Sequence, residues 1–300
     1  MIPQPILDQL IPPDRPAPSH DPNDVLLGDA ALFHAEDFKH ATHAILGCPQ
    51  DMGVTRNHGR PGAANAPKAI RSFLYGFKPP AKSEVRLIDL GDIVSCDNLE
   101  ACHERLHAAV LFLLEQGKTV LVMGGGNDIS LPDASAVHTA CPDYVAVNMD
   151  AHLDMRRAKA THSGTPYREL IDQGRLDPMH FHEVGIQPWA NSPIYLEEAA
   201  TLGVSVHPLH QVRDQGTDRF LSTLFHSFDN RPLFAGLDMD CVRASDAPGK
   251  QALQARPDFS PKKFWTLPTT AASMGAPRSS RLPKSTRPPT LTAAPPGSRH

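Results

Sequence analysis

Seven short apolar runs, spaced by stretches of helical periodicity, limit what this chain can fold into. The runs are HAILGCP (43–49), VRLIDLGD (85–92), TVLVMGGG (119–126), YVAVNMD (144–150), HEVGI (182–186), VSVHPL (204–209) and PLFAGLDMD (232–240). Between the second and third lies NLEACHERLHAAVLFLLEQGK (98–118), whose apolar positions recur at three and four residues and which reaches Gly117, a residue suited to close a helix. Strand, helix, strand at this spacing predicts an α/β fold with a mainly parallel sheet covered on both faces. In such sheets ligands bind at the carboxyl ends of the strands. The fourth run reaches that rim as VNMDAHLDMR (147–156).

There Asp150, His152 and Asp154 stand two residues apart. In extended chain, positions i, i+2 and i+4 share one side, so the three side chains can converge; acidic groups on one face of a strand can equally be solvated. The last run supplies a second pair at the same spacing, Asp238 and Asp240. Two neighbouring strands would then bring four carboxylates and one imidazole to one rim. Like charges about 4 Å apart repel by roughly 4 kcal/mol at an effective dielectric of 20. Either the carboxylates take up protons or cations sit among them. Oxygen and imidazole donors without thiolates suit a hard or borderline divalent ion, Mn2+ foremost, and argue against structural zinc.

With these motifs in place the sequence resembles the ureohydrolases: arginase, agmatinase and formimidoylglutamase. The resemblance is carried by DAHLD (150–154), LDMD (237–240) with DAPG (246–249), and MGGGNDIS (123–130). NHGRPGAANAPKAIR (57–71), HSGTPYREL (162–170) and VGIQPWANS (184–192) extend it over about residues 40–250 in the family's order. GRPGA, GGGxD, SGTP and GIQPWANS are most similar to the formimidoylglutamase branch, which cleaves N-formimidoyl-L-glutamate to L-glutamate and formamide in histidine degradation. A guanidino hydrolase such as agmatinase is the nearest enzymatic alternative.

The resemblance implies a three-layer, arginase-like sandwich and two Mn2+ ions that lower the pKa of a shared water for attack on an amidine carbon. It implies that Asp150 and Asp238 bridge both ions, that His152 and Asp240 complete one site, and that Asp154 completes the other while handling the proton. His162, just before SGTP, is the candidate proton shuttle. A glutamate-derived substrate needs cationic or amide donors for its carboxylates, and Arg60, Arg168 and Asn191, with Arg156, Arg157 and Gln187, lie in the matching motifs. Each of these is equally readable as a loop brace. The resemblance also places the GRPGA loop (59–63) at a subunit interface, hence a homo-oligomer.

Two departures weigh against full activity. Relatives carry a histidine ligand after the glycine turn, where this chain has Asn127; an amide oxygen is the weaker donor, so one metal site is expected to be weakened, with Asp128 able to substitute as an oxygen ligand if the turn shifts. Relatives also continue past APG into a last strand ending in a glutamate, to which nothing here corresponds. A catalytically impaired scaffold is therefore the alternative from a different class.

The rest of the chain falls outside this pattern. Residues 1–35 are proline-rich and read as an extended lead-in to an α/β domain at 36–250. Residues 251–300 hold nine prolines, eight Lys or Arg and one acid, Asp258. That composition predicts a disordered tail, and a replaced reading frame would produce so abrupt a switch. No basic-then-apolar leader and no spanning segment is present, so a cytoplasmic enzyme away from the membrane is expected. Five cysteines without a CxxC pair fit reduced thiols, and a net charge of −4 gives no support for nucleic-acid binding.

Overall fold

The computed structural model describes residues 1–79 and 85–242. All seven expected runs form strands: β2 (His43–Gly47), β3 (Leu87–Ile93), β4 (Thr119–Met123), β5 (Val145–Met149), β6 (Phe181–Ile186), β7 (Ser205–Pro208) and β8 (Leu233–Leu237). A further strand, β1 (Leu10–Ile11), comes from the proline-rich lead-in and pairs antiparallel with β3. Ile2 is buried in the main core. The N-terminal segment is thus bonded into the domain: Leu10 and Ile11 pair with β3, and Ile2 packs in the core.

Ten helices intervene among the described residues: α1 (Gln4–Leu7), α2 (Leu27–Ala30), α3 (Met52–Arg56), α4 (Ala66–Leu74), α5 (Leu99–Glu115), α6 (Ser130–Ala140), α7 (Pro166–Asp172), α8 (Pro193–Leu202), α9 (Leu209–Asp214) and α10 (Thr217–His226). α5 shows how the sequence dictates them. Asn98 caps its start by accepting from Ala101 N at 2.8 Å. Leu99, Cys102, Leu106, Ala109, Val110, Leu113 and Leu114 form its buried face. Gly117 then takes φ +69, and Lys118 N returns to Leu113 O at 3.0 Å, closing the helix end.

All strand pairs but β1–β3 are parallel, as expected, yet the ladders fall into two four-stranded halves, in the orders β1-β3-β2-β4 and β7-β6-β5-β8. Among the described residues β4 and β8 each have a single strand partner. Leu121 on β4 and Leu237 on β8 are correspondingly exposed. The expected loss of the strand after APG and the expected disorder of the tail at 251–300 concern residues outside the described ones.

One apolar core nevertheless unites the halves. It joins Ala44 and Leu46 of β2, Ile88 of β3 and Val120 of β4 to Ala146 of β5, Phe181 of β6 and Phe234 of β8 under α5, α6 and α7. The opposite face of the second half, Val145, Val147, Met149 and Val184, packs on Leu209, Val212, Leu221 and Leu224 of α9 and α10. Alternation along β5 therefore puts Ala146, Asn148 and Asp150 on the side of the larger core. No helix among the described residues is long and apolar enough to cross a membrane.

Candidate metal centre

β5 and β8 are neighbours in register, Met149 opposite Leu237, so their ends deliver the two acidic motifs to one place. Asp150 N still bonds to Val184 O at 3.0 Å, and Asp238 N reaches Met149 O at 3.0 Å. Beyond Asp150 the chain leaves the sheet in a braced loop. His152 N donates to Asp150 Oδ1 (2.9 Å), Leu153 N to Asn191 Oδ1 (2.9 Å), and Asn191 Nδ2 to the carbonyls of Ala151 and Gln187 (2.9 Å each). Asp154 sits at φ +45, a conformation that aspartate tolerates better than most residues. After β8, Asp240 N donates to Asp238 Oδ1 at 2.7 Å, so the second motif curls into one tight turn.

The result is two overlapping clusters. One ligand atom each from Asp150, His152 and Asp240 lie within 4.8 Å of one another, as do atoms from Asp150, Asp154 and Asp238. Asp150, fully buried, belongs to both. Burial, followed by the charge of Asp150, pushes the Asp154 carboxyl up to about 7. Burial likewise raises Asp150, and burial with the Asp150 charge raises Asp238 far above the carboxylate range. Burial opposes the charge on His152, but its contacts with Asp150 and Asp240 outweigh that and carry it up to about 11. Without an ion, burial and mutual repulsion thus favour protons on these carboxyls.

Asp150 Oδ2 is buried with no hydrogen-bond partner, the state expected of an oxygen meant for an ion. Four carboxylates, one imidazole and no thiolate fit a hard or borderline divalent cation. The profile of the arginase family matches residues 41–254. This chain belongs to the arginase family. A formimidoylglutamase from Enterobacter sp. (strain 638) is 35% identical over 216 residues, covering 70% of this chain and 67% of that one. The solved formiminoglutamase of Trypanosoma cruzi with Mn2+2 superposes with a TM-score of 0.74 at 30% identity, covering 81% of this chain and 84% of its own. An asparagine-to-histidine variant of that enzyme, also with Mn2+2, gives 0.75 at 30% identity over 82% and 84%.

Within this arginase-family framework the glycine turn meets the centre through Asn127. Its Nδ2 donates to Asp154 Oδ2 at 2.5 Å, while its Oδ1 accepts from Ser130 Oγ at 2.8 Å. Asp128 points the other way: Gln50 Nε2 donates to its Oδ2 at 2.7 Å and His103 Nε2 lies 2.8 Å from the same oxygen. Gly125 is obligatory here, since a Cβ would fall 1.5 Å from Gln50 O.

A cavity of about 330 Å3 opens beside the centre, lined by His152, Asp154, Arg156, Asn191, Ser192 and Tyr195 with Leu153, Met155 and Ala190. Of the proposed substrate residues Asn191 and Arg156 line it, the Asn191 amide being committed to the loop while Arg156 Nη1 donates to Asn57 Oδ1 at 3.2 Å. Arg168 is held by Asp172 (2.9 Å) and Glu198 (2.5 Å) and, with Arg157, lines a second, shallower depression. Arg60 is exposed on the GRPGA loop, where Gly62 N donates to Asp51 Oδ2 at 2.6 Å. His162 lies off the cavity wall; its Nδ1 accepts from Gly164 N at 3.0 Å, leaving Nε2 to carry the proton, and burial followed by the Arg156 charge lowers its pKa. Sequence reasoning missed Tyr195, which follows GIQPWANS by one turn of α8, and the buried Ser130–Tyr167 pair behind Asn127.

Proposed function

We propose that this chain is a Mn2+-dependent amidinohydrolase that cleaves N-formimidoyl-L-glutamate to L-glutamate and formamide. The observation that carries the reading is the pair of ligand clusters sharing Asp150. Asp150 and Asp238 would span two ions, His152 and Asp240 would complete one site, and Asp154 the other. When bound, such ions supply a water of near-neutral pKa and a Lewis acid for the amidine. Asp154, with a carboxyl already raised to about 7, is suited to receive the proton released on attack. We keep His162 as the expected proton relay only as part of this proposal, for it stands off the cavity wall with its proton on Nε2.

The cavity favours a substrate bearing carboxylates. Arg156 stands in its wall, with the hydroxyls of Ser192 and Tyr195 as further donors. Arg156 takes the anchoring role better than Arg168, whose guanidinium is engaged by two acids, or Arg60, which stands outside the wall. The catalytic unit is assigned to residues 36–250 in a cytoplasmic homo-oligomer, the exposed GRPGA loop being its expected contact. A panel of formimidoylglutamate, agmatine and arginine, assayed with Mn2+ for formamide or urea, tests the reading; urea from either guanidine, with no formamide, overturns it.

Asn127 favours a second reading, a chain of the same fold with an impaired second site, because its NH2 rather than its oxygen faces Asp154. A single bound Mn2+ per chain with no formamide released would support that alternative.

A further inference from the structure

Behind Asn127 the side chains form a one-way series of hydrogen bonds. Tyr167, fully buried, donates its hydroxyl to Ser130 Oγ at 3.4 Å. Ser130, also buried, donates onward to Asn127 Oδ1 at 2.8 Å, and Asn127 Nδ2 donates to Asp154 Oδ2. A hydroxyl has a single proton to give. Because Ser130 accepts from Tyr167 and gives its proton to Asn127, the amide oxygen faces the core and the NH2 faces the carboxylates. An NH2 cannot ligate a cation.

We propose that Ser130 determines the affinity of the second metal site, by holding the Asn127 oxygen away from the cluster of Asp150, Asp154 and Asp238. This rests on the functional reading of those residues as Mn2+ ligands. For Asn127 to ligate, its amide must turn over, which leaves the Ser130 proton without an acceptor in a buried place and removes the donor from Asp154. The orientation also explains how a ligand position occupied by an amide persists: as built, Asn127 braces Asp154, and the ion in that cluster meets three carboxylates only.

The test is Mn2+ titration of wild type and Ser130→Ala by calorimetry, with metal retained after dialysis counted in parallel. Ser130 opens α6, where alanine is a good helix former, so the fold should persist. Freed of Ser130, the amide can present its oxygen, and the weaker Mn2+ should bind about fivefold to tenfold more tightly, the scale of one net hydrogen bond, with the stronger ion unchanged. Tyr167→Phe removes only the donor to Ser130 and leaves the Ser130 proton on Asn127 Oδ1, so it should show no comparable gain. Adding Asn127→Ala to Ser130→Ala should abolish the gain. Unchanged or weaker binding in Ser130→Ala overturns the inference, as does a gain that survives Asn127→Ala. If Ser130→Ala fails to fold, Ser130→Gly removes the same donor, and the absence of any gain in it overturns the inference. Wild type that binds no Mn2+ at all would instead overturn the functional reading.

Discussion

Asp154 concentrates the chemistry of the centre in a single titration. Its ordinary value of 3.8 is raised to about 7 by burial and the Asp150 charge, so the folded, metal-free protein binds that proton more tightly than the unfolded chain. Stability contributed by that proton is present in full below 3.8 and is lost as pH rises through about 7. The thermal midpoint of EDTA-treated protein should therefore fall across that window, and Mn2+ should remove the slope by replacing the proton. By the same linkage Mn2+ affinity should climb between about pH 5.5 and 7.5 and then level off; a flat affinity profile would contradict the raised carboxyl. Asn127→His should add an imidazole where the amide now braces Asp154, raising retained Mn2+ toward two per chain without disturbing the His152–Asp240 cluster. Atomic absorption on dialysed wild type and variant decides it.

The two DxD pairs were legible because spacing by two at the end of a buried run has few other uses. Asn127 was legible as a departure, but which end of its amide faces Asp154 was not, since that depends on Ser130 and Tyr167, 37 residues apart in sequence and adjacent only in the fold. The same holds for Arg168 and Arg156: motif membership marks both, and only packing shows that Asp172 and Glu198 have engaged the first.

Elements were easier to read than their assembly. Every apolar run became a strand and α5 ends where Gly117 predicts, since these depend on local periodicity and backbone conformation. No side-chain atom constrains Gly117, for a Cβ there would meet nothing within 4 Å. Gly117→Ala should thus cost about 1 kcal/mol purely through its positive φ, and Asn98→Ala about 1 kcal/mol through the lost cap. Urea denaturation measures both, and the two costs should add, because the sites lie at opposite ends of α5. The division of the sheet was not legible. Strand order depends on which edges meet, and a short apolar run such as TVLVM in β4 reads the same as VAVNM in β5, although the first lies at an edge of its half and the second inside it.

At the scale of the molecule, the centre ties the ends of β5 and β8 together across otherwise repelling carboxylates. A ligand that binds only the native state stabilises it by about 2.7 kcal/mol at 100 times its Kd, which for a domain of this size is roughly 5–10 °C. Mn2+ should raise the thermal midpoint by that order, and Mg2+, which demands octahedral oxygen ligands and loses water reluctantly, by less. Equal effects of the two ions would point to screening of charge rather than a built site. Asp150→Ala should abolish the Mn2+ shift, since its carboxylate serves both clusters.

The chain order of the strands also carries a message about time. The half containing β1 to β4 has all its partners once Met123 has been made, whereas β8, which completes the other half beside β5, comes last among the described strands. During synthesis Asp150, His152 and Asp154 emerge well before Asp238 and Asp240 can join them, so no complete cluster exists until β8 docks. Ligand capture then requires β8 to have docked beside β5. Mn2+ should leave the refolding rate unaltered and slow unfolding, so that the ion acts as a latch on a finished structure and leaves its nucleation to the strands.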